Sequence, residues 1–226
     1  MAFSFGNKII TDGLVSYLDV ANSRSYPGSG TVLNDLTNNK NSGSLILGPV
    51  YNSTYGGNIT CDGIDDYIRT KNITLTSFSL SIIYMPLVFD TNTGTARYNC
   101  VLETDGGGGG NMLIRYDNTL GNAILIGNHD GGRYGYVYLN SNPVQTVNKV
   151  YEITVTYDDT TNLLSGYLGG VFINSTTLTT NLKYAGIIQL GYTFNCRIFN
   201  YKVYNRVLSS TEVTQNYNAL KARFGL

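Results

Sequence analysis

The 226-residue chain has no tryptophan, one histidine, three cysteines and four prolines. Three thiols, Cys61, Cys100 and Cys196, cannot make a complete disulfide framework, and none stands in the CxxC spacing of a structural zinc site. They read as buried thiols. The single histidine, His129, falls in a predicted turn with no GxSxG elbow anywhere, which argues against triad chemistry. Charge is scarce, at 13% of residues, and the 15 basic and 15 acidic side chains cancel. That balance lacks the basic footprint of nucleic-acid binding. No run reaches the ~18 apolar residues of a membrane span. The start of the chain has no charged segment followed by an apolar stretch, so no secretory leader is visible and synthesis in a cytoplasm is expected. The run Gly106–Gly110 lacks the lysine and hydroxyl partners of a phosphate-binding loop, and it reads as a glycine-rich loop.

Hydrophobic residues make up 42% of the chain, enough for a full core, with surface polarity supplied by Asn, Thr, Ser and Gly. A single domain is expected at this length. Phe78, Leu80, Ile82 and Tyr84 alternate with Ser79, Ser81 and Ile83, and Tyr151, Ile153, Val155 and Tyr157 alternate with Glu152, Thr154 and Thr156. Each set predicts a half-buried strand. Further strands are predicted near 14–19, 44–48, 59–62, 98–104, 111–116, 122–127, 134–139, 163–168, 171–176, 185–190 and 197–204. Gly169-Gly170 has the form of a two-residue hairpin turn. His129-Asp130-Gly131-Gly132 and Asp158 to Asn162 are predicted loop tips.

One helix closes the chain, predicted over 209–224. Ser209 and Glu212 have the spacing of a capping box, with Leu208 and Val213 as a hydrophobic staple. Val213, Tyr217, Leu220 and Phe224 form one apolar stripe, and Gly225 stands where a helix end favours glycine. Many strands and one helix predict an all-β fold, a sandwich or barrel.

Four phrases, in order, carry a family likeness. They are Asp12-Gly13-Leu14-Val15-Ser16-Tyr17-Leu18-Asp19, followed by Ala21-Asn22 and an Asn-rich turn after Asn34-Asp35-Leu36; Cys61-Asp62-Gly63-Ile64-Asp65-Asp66-Tyr67-Ile68; Thr154-Val155-Thr156-Tyr157-Asp158; and Tyr204-Asn205-Arg206-Val207-Leu208-Ser209. Together they resemble the laminin-G-like branch of the concanavalin A-like lectin/glucanase sandwiches, as found in structural proteins of tailed phages. The chain departs from the pattern in lacking tryptophan and in starting its last strand with Phe194-Asn195-Cys196. The resemblance implies a two-sheet antiparallel jelly-roll sandwich over residues 12–226, ending in the 209–224 helix. Residues 1–11 then form an N-terminal arm or an added edge strand.

Several chemistries are open to such a domain. Some laminin-G-like relatives bind calcium through loop oxygens, for which Asp62, Asp65 and Asp66 in one loop and Asp158 and Asp159 in another are candidates. The other reading of these aspartates is structural, as turn residues that accept backbone hydrogen bonds. Sugar recognition needs aromatic faces with planar polar groups, and Tyr134, Tyr136 and Tyr138 share one face of a strand that has Arg133, His129 and Asp130 at its end. A tyrosine-lined sheet surface or subunit contact is the alternative. Hydrolysis by a retaining mechanism needs two carboxyls ~5–5.5 Å apart. Glu103 and Asp105 alone show a related spacing, at the start of the glycine run, and read as a strand end entering a loop.

A non-enzymatic virion protein is therefore expected, a capsid decoration or a tail or fibre module made in the bacterial cytoplasm and released by lysis. Its expected partners are other virion subunits, copies of itself and host cell-surface glycan, with no nucleic acid and no membrane insertion. Phe3 and Phe5 are candidates for anchoring the arm to the virion. The alternatives are a lectin-like adhesion module and a divergent glycan hydrolase.

Overall fold

The computed structural model describes residues 8–89, 99–104, 111–117, 123–130, 133–139, 145–179, 181–182 and 184–226, with backbone alone for 111, 117, 123–130, 133–136, 138, 139, 184 and 185. Phe3, Phe5, Asp105 and the glycine run lie outside these residues. The strands, in chain order, begin with β1 (Leu14–Asp19), β2 (Val32–Leu33), β3 (Gly43–Ile46), β4 (Val50–Asn52), β5 (Asn58–Asp62) and β6 (Tyr67–Arg69). They continue with β7 (Ile73–Leu75), β8 (Phe78–Pro86), β9 (Asn99–Thr104), β10 (Asn111–Asp117), β11 (Ala123–Asp130) and β12 (Arg133–Leu139). The last are β13 (Tyr151–Asp158), β14 (Leu163–Leu168), β15 (Val171–Thr177), β16 (Tyr184–Gly186), β17 (Ile188–Leu190) and β18 (Asn195–Tyr204), before helix α1 (Ser210–Phe224).

One sheet runs β15-β14-β13-β8-β18-β5-β4, with β1 also on β18, and the second runs β12-β11-β10-β9-β17-β6-β3-β2. All the pairings are antiparallel, and β7 and β16 form a separate small ribbon. The two sheets meet through their inward side chains. Ile82, Ile153, Val155, Ile198, Tyr201 and Val203 from the first join Ile68, Leu102, Met112, Ile114, Ile188 and Leu190 from the second in one buried cluster. The all-β jelly-roll sandwich with one C-terminal helix is thus observed.

The predicted Gly-Gly hairpin joins β14 to β15, Leu168 facing Val171. Gly169 and Gly170 both have positive φ, 58° and 75°, as a primed turn requires. A Cβ on Gly170 would lie 2.7 Å from Cβ of Tyr217, so the turn is also pressed against the helix.

Two expectations are corrected. β8 and β13 were expected to be half-buried, yet every residue of β8 is buried, as are the first seven of β13. The reason is α1, which lies across the outer face of the first sheet and removes its centre from water. Secondly, His129 and Asp130 are not in a turn. They end β11, with His129 opposite Tyr134 and Asp130 opposite Arg133, because the ladder continues to the last pair before the two glycines.

The helix covers a surface that is apolar at its ends and polar in its middle. Near the C-terminal turn, Leu220 and Phe224 join Ile83, Met85, Val150 and Phe199. Near the N-terminus, Val213 and Leu208 join Tyr167 and Tyr204. Between them lie Glu152, Lys202, Asn200, Ser81 and Thr154, none more than 2% exposed. Ser81 and Thr154 hydroxyls donate to Glu152 Oε1 at 2.8 and 2.6 Å, and Lys202 Nζ donates to Asn200 Oδ1 at 2.8 Å. Burial pushes the Lys202 ammonium down to about 8, against the pull of Glu152 and Asp19. Asn216, on the stripe beside Tyr217, is also buried, receives the Ile10 N–H at 2.8 Å and donates to the Tyr204 hydroxyl at 3.1 Å. Residues 8–11 therefore run along the helix, with Gln215 Nε2 donating to Lys8 O at 2.8 Å.

Both helix ends are tied to the start of the domain. Arg206 donates to both oxygens of Glu212, at 3.0 and 2.7 Å, and pairs with Asp12 at 2.9 Å. Arg223 donates to both oxygens of fully buried Asp19, at 2.7 and 2.9 Å. The capping box forms as expected: Ser209 Oγ accepts from the Glu212 N–H and Glu212 accepts from the Ser209 N–H.

Ser209→Ala is expected to lower the unfolding free energy by ~1 kcal/mol in urea titration, the usual cost of losing a cap. A second expectation concerns acid. The Glu212 carboxyl is held down at about 2, first by the Arg206 guanidinium and then by the Ser209 amide. Its contribution is complete above the ordinary value of 4.5 and is lost as pH falls from there towards about 2. Glu212→Gln should flatten the stability curve in that window and leave its slope above it unchanged.

Candidate functional site

The Asp62, Asp65 and Asp66 loop connects β5 to β6 at one rim of the sandwich. Gly63 is required at its turn: its φ is +78°, and a Cβ there would lie 2.6 Å from the Asn195 nitrogen. Asp62 Oδ1 accepts from the amides of Ile64 at 2.7 Å and Asp65 at 3.4 Å, which curls the loop back on itself. Asp62 and Asp65 are exposed, whereas Asp66 is buried. Their carboxylate oxygens lie within 4.8 Å of one another. Burial raises the Asp66 carboxyl, and the charges of Asp62 and Asp65 raise it further. The arrangement concentrates negative charge at one point of the rim. Calcium takes oxygens at ~2.3–2.6 Å, so one ion can bridge oxygens at this spacing. Beside the loop, Tyr67 and Tyr192 meet edge to face with ring centroids 5.3 Å apart.

Asp158 and Asp159 sit differently. Asp158 Oδ1 accepts from both the amide and the hydroxyl of Thr160, at 2.9 and 2.7 Å, and these bonds lower its carboxyl. Asp159 receives Asn181 Nδ2 at 3.0 Å, and its own amide donates to Ser77. Both serve the turn between β13 and β14. Among the described residues they belong to no group of three ligating side chains.

Tyr134, Tyr136 and Tyr138 lie on β12, the edge strand of the second sheet, with Arg133 at its start and His129 and Asp130 on the adjoining end of β11. Val137 is buried in the core, and the three tyrosine positions alternate with it along the pleat. Their side chains lie outside the described residues. Glu103 is near the end of β9, with its notional partner Asp105 also outside them.

The structure adds a site that the sequence did not single out. An open groove of about 540 Å³ runs between β1 and the two loops that follow it, with Tyr17, Asn22, Arg24, Asn38 and Asn39 in its lining. Arg24 and Asn38 are exposed. Asn39 Nδ2 donates to the Val15 carbonyl at 3.2 Å, and Asn41 Nδ2 to the same carbonyl at 2.8 Å, so the Asn-rich turn is fastened to the strand. Asp35 folds that turn by accepting from the amides of Tyr17, Thr37 and Asn41. The Asn-rich composition was the available signal. What brings those residues to Arg24 is the return of the chain across β1, which no local pattern encodes.

Residues 62–214 match the Laminin_G_3 family model, described as "Concanavalin A-like lectin/glucanases superfamily". The chain belongs to this superfamily. No curated protein matches it at the sequence level. Among solved structures, this concanavalin A-like domain is similar to the binding domain of Paraclostridial Mosquitocidal Protein 1 (TM-score 0.71, 14% identity, 92% of this chain and 52% of that one). It is also similar to the botulinum neurotoxin serotype D binding domain (TM-score 0.70, 15% identity, 92% and 52%). A third similarity is to domain 4 of AbnA, an extracellular arabinanase of Geobacillus stearothermophilus, in complex with arabinotriose (TM-score 0.67, 15% identity, 90% and 98%). The chain spans about half the length of the two toxin domains and nearly all of the arabinanase domain. At these identities the likeness is one of fold. None of the three is described as a virion protein, so the virion setting rests on the sequence phrases.

In a concanavalin A-like domain with this acidic loop, the sign of the cation effect follows from Asp66. A carboxyl raised in the folded state costs stability at neutral pH, and the loss is recovered as pH falls through the carboxylate range. A divalent cation should remove the cost without acid. Millimolar calcium is expected to raise Tm over the value in chelator, by mass action worth ~2.7 kcal/mol at a hundredfold excess over Kd. Asp66→Asn should abolish the shift, and equal Tm values in calcium and chelator would remove calcium from this loop.

Proposed function

We propose that this chain is a non-catalytic carbohydrate-binding module that holds a glycan in the Tyr17, Arg24 and Asn38 groove, with calcium taken up by Asp62, Asp65 and Asp66. The observation that carries the reading is the fold match to the arabinanase domain, which covers 98% of that domain, a structure described in complex with arabinotriose. The binding domains of two toxins share the same architecture. The groove supports the reading chemically: an aromatic ring can face the apolar side of a sugar, and a guanidinium and amides can reach its hydroxyls.

The carboxylates support a binding role over hydrolysis. The three rim aspartates lie together within 4.8 Å on one loop, a cluster suited to one cation. Retaining hydrolysis needs two carboxyls ~5–5.5 Å apart on either side of a scissile bond. Asp19 and Glu152 are engaged inside the fold by Arg223 and by Ser81 and Thr154 respectively. On a phage particle, the setting implied by the sequence phrases, such a module would attach the virion to host cell-surface glycan.

A glycan array followed by calorimetry, with arabino-oligosaccharides included, tests this function. Saturable binding without release of reducing ends is expected. Arg24→Ala is expected to weaken binding about tenfold, the cost of a charged hydrogen bond. Tyr136→Ala should leave affinity unchanged; loss of binding in that variant alone would move the site to β12. Absence of saturable binding across the array, or appearance of reducing ends, would overturn the module reading.

A further inference from the structure

A second cavity lies between the start of β13, the β14–β15 turn and the C-terminal end of α1. It is partly open and has a volume of about 210 Å³, lined by Val150, Tyr151, Glu152, Leu168, Tyr217 and Leu226 among others. Lys149 and two glycines complete the lining, which is mostly apolar. Glu152 is its acidic member, 2% exposed. Its Oε1 accepts from Ser81 and Thr154, but its Oε2 is buried without any hydrogen-bond partner. An orphaned buried acceptor costs free energy until a donor reaches it.

The surroundings select the donor. Lys149 Nζ already lies 5.7 Å from the Tyr151 ring centroid, Lys221 Nζ lies 5.8 Å from that of Tyr217, and Lys202 is buried in the same polar layer. This surplus of positive charge disfavours another cation. The apolar walls disfavour a sugar, whose many hydroxyls would find one acceptor. What fits is an uncharged ring with a single hydroxyl. An apolar cavity of ~150 Å³ is large enough to bind benzene, so the present volume admits a six-membered aromatic ring with a small substituent.

We propose that this helix–sheet cavity is a binding site for a small neutral phenol, its ring against Tyr217, Leu168 and Leu226 and its hydroxyl donating to Glu152 Oε2. The site is separate from the groove and does not depend on the carbohydrate reading. The probe is p-cresol, with toluene as the isostere that lacks the hydroxyl, each titrated against the full chain by ligand-observed NMR and thermal shift. Saturable p-cresol binding is expected, with toluene about tenfold weaker or more because it leaves Oε2 unpaired. Glu152→Gln should bring the two affinities together, and Leu226→Trp, which fills the cavity, should abolish binding; the Tm of each variant without ligand reports whether it is folded. Equal affinities for p-cresol and toluene in the unmodified chain, undiminished binding in folded Leu226→Trp, or no saturation at millimolar p-cresol, as when water alone satisfies Oε2, would each overturn the assignment.

Discussion

The rest of the structure depends on one constraint: the outer face of the first sheet carries charged and amide side chains at its centre, and α1 must seal them from water without leaving them unbonded. Glu152 and Lys202 are 2% and 0% exposed, and breaking either one's partners would leave a buried charge uncompensated. The helix meets this by apolar contact at both ends, through Val213 on one side and Leu220 and Phe224 on the other. Its own buried Asn216 closes the middle with Ile10 and Tyr204. Depression of the Lys202 ammonium to about 8 is the visible trace of that desolvation. Glu152 Oε2 and Asn200 Nδ2 are the places in this layer where closure is incomplete.

The ends of the chain are the fasteners. Arg206 joins Asp12 to Glu212, and Arg223 joins the last helical turn to Asp19 at the end of β1. The first and last family-like phrases, nearly two hundred residues apart in sequence, are thus one hydrogen-bonded unit. Gly13 belongs to it, since a Cβ at that position would lie 2.9 Å from Asn205 Oδ1. The Asp-Gly and Asn-Arg elements of those phrases have a mutual physical reason to occur together. The same economy appears in the rim loop, where Gly63 permits the close approach to Asn195 that turns Asp62, Asp65 and Asp66 towards one point.

Much of this was legible in the residues. The Ser209-x-x-Glu212 cap, the Gly169-Gly170 turn, the alternation in β8 and β13 and the strand at β18 are local patterns governed by local geometry, and each formed where it was expected. Short strands such as β2, β4 and β7 were missed because two or three residues give no period to read. The half-burial expected of Ser81 and Glu152 failed for another reason. Alternation reveals which side chains face the sandwich interior, and it is silent on whether a helix covers the opposite face. The groove at Tyr17 and Arg24 went unseen because its lining comes from segments that pair only through the folded loop around Asp35.

The amino-acid order by itself determined the all-β class, the hairpin, the capped helix and the acidic loop, because each follows from dihedral preference and spacing over a few residues. Only the tertiary structure decided that the helix lies over a polar sheet face, that Asp19 and Asp12 hold its two ends, and that Glu152 is left with an unpaired oxygen beside a cavity. Those outcomes depend on which distant surfaces exclude water from one another, and exclusion of water is a property of the assembled layers.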